Sequence, residues 1–96
     1  MPQIVVIPPD RSQQTVHRLD HRVLTIGRTP ANTIQISDGA ASRKHCIVKV
    51  VGDTYTLVDL GSANGTQVNG ERVKEHELTD GDRIKIGKTV LAFKEH

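Results

Sequence analysis

The chain has 96 residues, a length that suits one compact domain and buries roughly two thirds of the surface its unfolded form exposes. Its 13 Lys+Arg against 11 Asp+Glu leave a formal net charge of +2, too balanced for the dense positive field on which non-specific nucleic-acid binding rests. Tyr55 and Phe93 are its only aromatic residues, too few for the stacking platforms that grip single strands, so no nucleic-acid partner is expected.

No window shows apolar residues recurring at helical spacing over several turns. Short β-rich runs predict strands at Gln3 to Ile7, Thr15 to Leu19, Arg22 to Ile26, Ile34 to Ile36, Lys44 to Val51 and Thr54 to Leu60. Five more follow at Gln67 to Val68, Arg72 to Val73, Glu77 to Leu78, Arg83 to Ile86 and Thr89 to Phe93. The breaks carry turn chemistry: Pro8-Pro9-Asp10, Asp20-His21, Gly52-Asp53, Asn64-Gly65, Asn69-Gly70, Asp80-Gly81-Asp82 and Gly87-Lys88. About eleven short strands with no helix to cover a sheet imply an all-β fold, a two-sheet antiparallel β-sandwich with its loops gathered at the edges. No linker, repeat or composition shift divides residues 1–96, which are expected to form a single domain, either alone or as a module of a larger protein.

The lone Cys46 cannot close an internal disulfide and sits in an apolar run as a small hydrophobe. No leader with a basic start, apolar run and small-residue cleavage site is present, and no apolar run nears the roughly 20 residues that cross a bilayer. These features point to an intracellular, soluble protein without a membrane partner. His17, His21, His76 and His96 are scattered, with no cysteine cluster beside them, so they read as surface residues and no metal site is expected. Asn64-Gly65-Thr66 formally matches a glycosylation acceptor, but without a secretion signal it reads as a turn.

Three polar clusters fall at strand ends: Gly27-Arg28, Ser42-Arg43-Lys44-His45, and Leu60 to Thr66 followed by Val68-Asn69-Gly70. In a sandwich such ends can share one edge and face a common ligand. A guanidinium from Arg28, a hydroxyl from Ser42, a further charge from Arg43 and an amide from Asn64 form a donor set for an anion. A phosphorylated threonine, with about −1.5 to −2 charge and three acceptor oxygens, fits it better than a carboxylate. Asn64 can spare its side chain for the peptide backbone beside that group.

Gly-Arg, then Ser-x-x-His, then Asn-Gly-x-x-x-Asn-Gly, in this order and at these separations, closely resembles the forkhead-associated (FHA) domain, and the resemblance extends across nearly the whole chain. It implies a sandwich of the FHA/SMAD type that binds phosphothreonine-containing segments of partner proteins in Ser/Thr kinase signalling, with no cofactor and no catalysis. It further implies that Arg28 and Ser42 hold the phosphate, that Arg43 adds a contact to it or to nearby backbone, and that Asn64 binds peptide backbone. Gly27, His45, Gly65, Thr66, Asn69 and Gly70 would support the binding loops, His45 by bracing them with hydrogen bonds. Where family members often place a hydroxyl just before the asparagine, this chain has Ala63, with Ser62 the one neighbour able to substitute. A basic side chain two before the serine, used by members that read an acidic residue after the phosphothreonine, is replaced by Ala40.

Two alternatives accompany this reading. The sandwich can have kept its architecture while serving phosphate-independent assembly or oligomerisation, although the isolated domain is expected to be monomeric. Ser42 with His45 can be read as nucleophile and base of a small esterase, but no acid is placed to orient the imidazole and no oxyanion hole is visible.

Overall fold

The computed structural model describes residues 1–95, which form eleven strands and no helix. They are β1 (Gln3–Ile7), β2 (Thr15–Arg18), β3 (Val23–Gly27), β4 (Ile34–Gln35), β5 (Cys46–Val51), β6 (Thr54–Asp59), β7 (Thr66–Val68), β8 (Glu71–Val73), β9 (Glu75–Glu77), β10 (Arg83–Ile86) and β11 (Thr89–Lys94). A six-stranded sheet runs β2-β1-β11-β10-β7-β8 and a five-stranded sheet runs β4-β3-β5-β6-β9. Period-two alternation decides which face each strand turns inward: in β10, Ile84 and Ile86 are fully buried while Arg83 and Lys85 face solvent.

The inward side chains meet in one cluster that includes Ile4, Leu24, Ile26, Leu57, Leu91 and Phe93. Phe93 is the largest fully buried side chain in it, and the Tyr55 ring packs against it at a centroid distance of 5.6 Å. Burial of one such side chain stabilises the fold by about 1.5–3 kcal/mol. At the β7–β8 turn, Asn69 and Gly70 both take positive φ, 51° and 88°, as a two-residue hairpin of this twist requires.

Several strand ends shift by one residue from the sequence expectations, and larger departures fall in four places. β4 pairs with β3 in parallel, Ile26 opposite Ile34, so the sandwich is not wholly antiparallel. β5 begins at Cys46 rather than Lys44, because the Ser42 amide turns back to the His45 ring and bends the chain there. β9 lies at Glu75–Glu77 rather than Glu77 to Leu78. His17 and His76 are half-buried rather than on the open surface; burial lowers the pKa of His17, and His76 Nε2 lies 3.1 Å from Asp82 Oδ2. His21 is exposed beside Asp20, and His96 lies outside the described residues.

Strand register brings the loops together. Ile26 on β3 faces Cys46 on β5, which faces Asp59 on β6, so these three strands reach one end of the sheet in a single row. The segments that leave them, 28–33, 36–45 and 60–65, therefore meet at one rim. The β10–β11 turn joins them from the other sheet, since Gly87 lies against the side chains of Ala40 and Asp38.

Candidate functional site

Backbone hydrogen bonds fix the rim first. The Arg28 amide donates to the Ser42 carbonyl at 3.1 Å, and the Leu60 amide to the His45 carbonyl at 3.0 Å. Gly27 is required by close approach: a Cβ there would collide with the Arg43 carbonyl oxygen and come within 2.8 Å of Asn32 Nδ2. Asn32, buried beneath the rim, donates from Nδ2 to the Arg43 carbonyl at 2.7 Å and the Thr29 carbonyl at 2.9 Å, tying the first loop to the second.

His45 ties the second loop to the third. Its ring is fully buried; Nδ1 accepts the Ser42 amide at 3.0 Å and Nε2 lies 2.9 Å from the Gly65 carbonyl. An amide can only donate and a carbonyl can only accept, so the proton of this imidazole belongs on Nε2. Both ring nitrogens are thereby committed to backbone, and neither is hydrogen-bonded to the Ser42 hydroxyl. The nucleophile-and-base arrangement of an esterase is not formed.

Asp59 organises the third loop. Its carboxylate accepts the Ser62 amide at 2.7 Å, the Ser62 hydroxyl at 2.7 Å and the Thr66 hydroxyl at 2.9 Å. Burial disfavours the charged carboxylate, but the bonds from Ser62 and Thr66 outweigh that and hold its pKa below the ordinary 3.8. Ser62 Oγ also accepts the Gly65 amide at 3.0 Å, so its one proton and one lone pair serve the loop itself. Gly65 takes φ of 84° beneath the Arg72 side chain, while Thr66 is fully buried. Cys46, behind the rim, is buried, and burial with the nearby Asp59 charge pushes its thiol up to about 12.

On this frame the exposed groups stand side by side. Arg28 Nε donates to the Ala41 carbonyl at 3.1 Å, holding the guanidinium next to Ser42. Ser42 Oγ accepts the Ala63 amide at 3.2 Å, which leaves the hydroxyl proton free to donate. Asn64 Nδ2 donates to the Ala40 carbonyl at 2.8 Å and leaves Oδ1 to accept from a ligand amide. Arg43 extends its exposed side chain from the same loop. Among the described residues both side-chain ion pairs are His–Asp pairs, so no carboxylate neutralises Arg28 or Arg43. Arg28, Ser42, Arg43, Ala63 and Asn64 thus lie together at the rim, with Ser62 beneath them. Asn69 and Gly70 lie beyond β7, where Asn69 bonds to Asp82 at 2.9 Å and the Arg83 amide at 3.0 Å.

Sequence reading missed Asn32, Asp38 and Asp59 as loop anchors. Asp38 accepts the Ala40 amide at 2.9 Å, the Lys88 amide at 2.9 Å and the Thr89 hydroxyl at 2.8 Å. Asp59 had the clearest local signal, an Asp followed three residues later by Ser, the spacing at which a carboxylate satisfies loop amides. Asn32 and Asp38 each have a near partner, Thr29 and Ala40, but the bonds by which they join separate loops go to Arg43, Lys88 and Thr89, which are distant in the chain.

The model of the FHA domain matches residues 24–87. The chain is 43% identical over 75 residues to an oxoglutarate dehydrogenase inhibitor of Corynebacterium jeikeium, covering 78% of this chain and 52% of that protein. It therefore spans about half the length of the curated relatives it matches. A crystal structure of the FhaA FHA domain, complexed with the intracellular domain of Rv3910, superposes with a TM-score of 0.89 at 28% identity, covering 98% of this chain and 100% of that one. An FHA domain solved in a study of phosphothreonine-dependent interactions superposes at 0.83 with 30% identity, covering 98% and 97%. The two-sheet fold and the family match over most of the chain place it in the FHA-domain family.

Proposed function

We propose that the rim binds phosphothreonine in a partner protein and that the chain acts by binding rather than by catalysis. The observation that carries this reading is the hydrogen bond from the Ala63 amide to Ser42 Oγ. It occupies one Oγ lone pair and leaves the serine proton free to donate beside an unneutralised Arg28, where a phosphoryl group would meet a charge-assisted donor and a hydroxyl together. Arg43 adds charge, and Asn64 Oδ1 orients the peptide backbone. Ala63 offers no hydroxyl of its own, and the Ser62 proton already goes to Asp59, so Arg28 and Ser42 carry the phosphate between them.

The likeness to an inhibitor of a metabolic enzyme supports a regulatory role for the parent protein, inside the cell, downstream of a Ser/Thr kinase. Isothermal titration with a phosphothreonine peptide tests the reading. Arg28→Ala should keep the fold and lose about 2 to 5 kcal/mol of binding, the cost of removing one member of a desolvated charge pair. A phosphoserine peptide should bind more weakly and an unphosphorylated one not at all. Equal affinity of Arg28→Ala and the parent would overturn the proposal.

A further inference from the structure

The near-neutral total charge conceals a separation between the two sheets. Cross-strand register aligns Arg72, Gln67, Lys85, Val90 and Ile7 in one row across the outer face of the six-stranded sheet. The next rows hold Arg83 beside Ala92, Val5 and Val16, then Lys94 beside Gln3 and Arg18. These rows contain five cations and no carboxylate. Glu75 and Glu77 belong to the other sheet, opposite Val58 and Thr56.

A groove of about 520 Å³ opens on the basic face. Arg11, Arg83, Lys85 and Lys88 line it, Ile7 and Val90 give it apolar wall, and no carboxylate takes part. Among the described residues none of the four cations is ion-paired. Gathering like charges in a concavity without a counter-ion opposes folding, and an incoming anion relieves that repulsion.

The groove begins where the recognition rim ends. The Lys88 amide donates to Asp38, and Gly87 packs against Ala40, whose carbonyl accepts from Asn64. Asp38 accepts from three donors of the surrounding turns and is not among the residues that line the groove. An extended segment of about ten residues spans roughly 33 Å, and the longest dimension of the molecule is 33 Å. A peptide anchored at the rim therefore reaches the groove.

We infer that this groove docks an acidic stretch, glutamate- or aspartate-rich with apolar residues between, lying within about ten residues of the phosphothreonine in the same partner. The inference rests on the phosphothreonine reading of the rim. Alternating cations and aliphatic side chains match such a peptide, whereas the absence of any aromatic lining gives nucleobases nothing to stack on.

The test titrates the chain with a short phosphothreonine peptide and with the same peptide extended by ten residues containing four glutamates, on either side. Extensions with glutamine in place of glutamate serve as controls. One acidic extension should bind about tenfold more tightly than the short peptide at low salt, and the gain should shrink at high salt. Arg83→Ser with Lys85→Ser, both on the exposed sheet face, should abolish the gain and leave the short peptide unaffected. An acidic extension that adds nothing, or a gain that survives the double substitution, overturns the groove assignment while leaving the rim intact. Failure of the short peptide to bind the parent chain overturns both readings. Phosphatidylserine vesicles captured through Arg83 and Lys85, with no gain from either acidic extension, would make the face a membrane contact and overturn the assignment.

Discussion

Replacing His45 with phenylalanine isolates the brace that connects the binding loops. The substitution keeps a planar ring of similar size, so the loss is not dominated by an empty cavity. It removes the acceptor of the Ser42 amide and the donor to the Gly65 carbonyl, bonds of 3.0 and 2.9 Å. A buried polar group left unpaired costs about 1–3 kcal/mol. Gly65 is buried, but Ser42 is half-exposed and its amide can reach water, so the combined loss is about 2–4 kcal/mol. A 96-residue chain at about 0.05–0.15 kcal/mol per residue has about 5–14 kcal/mol in hand, so the variant should still fold. Urea denaturation should show a midpoint lower by about 1–3 M with an unchanged slope. The Ser42 amide should exchange faster with solvent, and phosphothreonine affinity should fall under conditions where both proteins are folded. A midpoint and an exchange rate equal to the parent's would refute the role assigned to the imidazole.

Two further substitutions probe the rest of the frame. Gly27→Ala drives a Cβ into the Arg43 carbonyl, which is backbone and cannot rotate away; thermal unfolding should report a loss of about 1–3 kcal/mol, and a variant as stable as the parent would contradict the close approach. The carboxyl groups of Asp38, Asp59 and Asp82 all titrate below their ordinary 3.8, because donors outweigh the opposing effect of burial. A folded-state pKa below the unfolded value stabilises the fold above the unfolded pKa, and that stabilisation fades as pH falls through the folded one. Stability should therefore drop on acidification below pH 3.8, and Asp59→Asn should flatten that drop in melts taken from pH 6 to 2.5; parallel curves for the two proteins would remove Asp59 from the account.

The strands were legible because burial imposes period-two alternation on the local sequence, as Arg83 to Ile86 shows most clearly. β9 was misplaced because its edge position leaves Glu75 and Glu77 exposed, and no alternation marks an edge strand of charged residues. The parallel pairing of β4 depends on how residues 28–33 carry the chain back beside β3, which two strand residues cannot encode. At the rim, the exposed donors were readable from residue type and spacing. The framework beneath them was less so: Asn32 and Asp38 look like ordinary polar loop residues until the fold brings Arg43, Lys88 and Thr89 to them. The basic sheet face was invisible to a net charge of +2, because strand register decides which cations share a surface.

Amide chemical-shift mapping during titration with a phosphothreonine peptide tests the rim most directly. Ligand entry between the loops should move the amides of Arg28, Ser42, Arg43, Ala63 and Asn64 together, saturating at one peptide per chain, and the unphosphorylated peptide should move none of them. Shifts that bypass Arg28 and Ser42, or that the unphosphorylated peptide reproduces, would contradict the account.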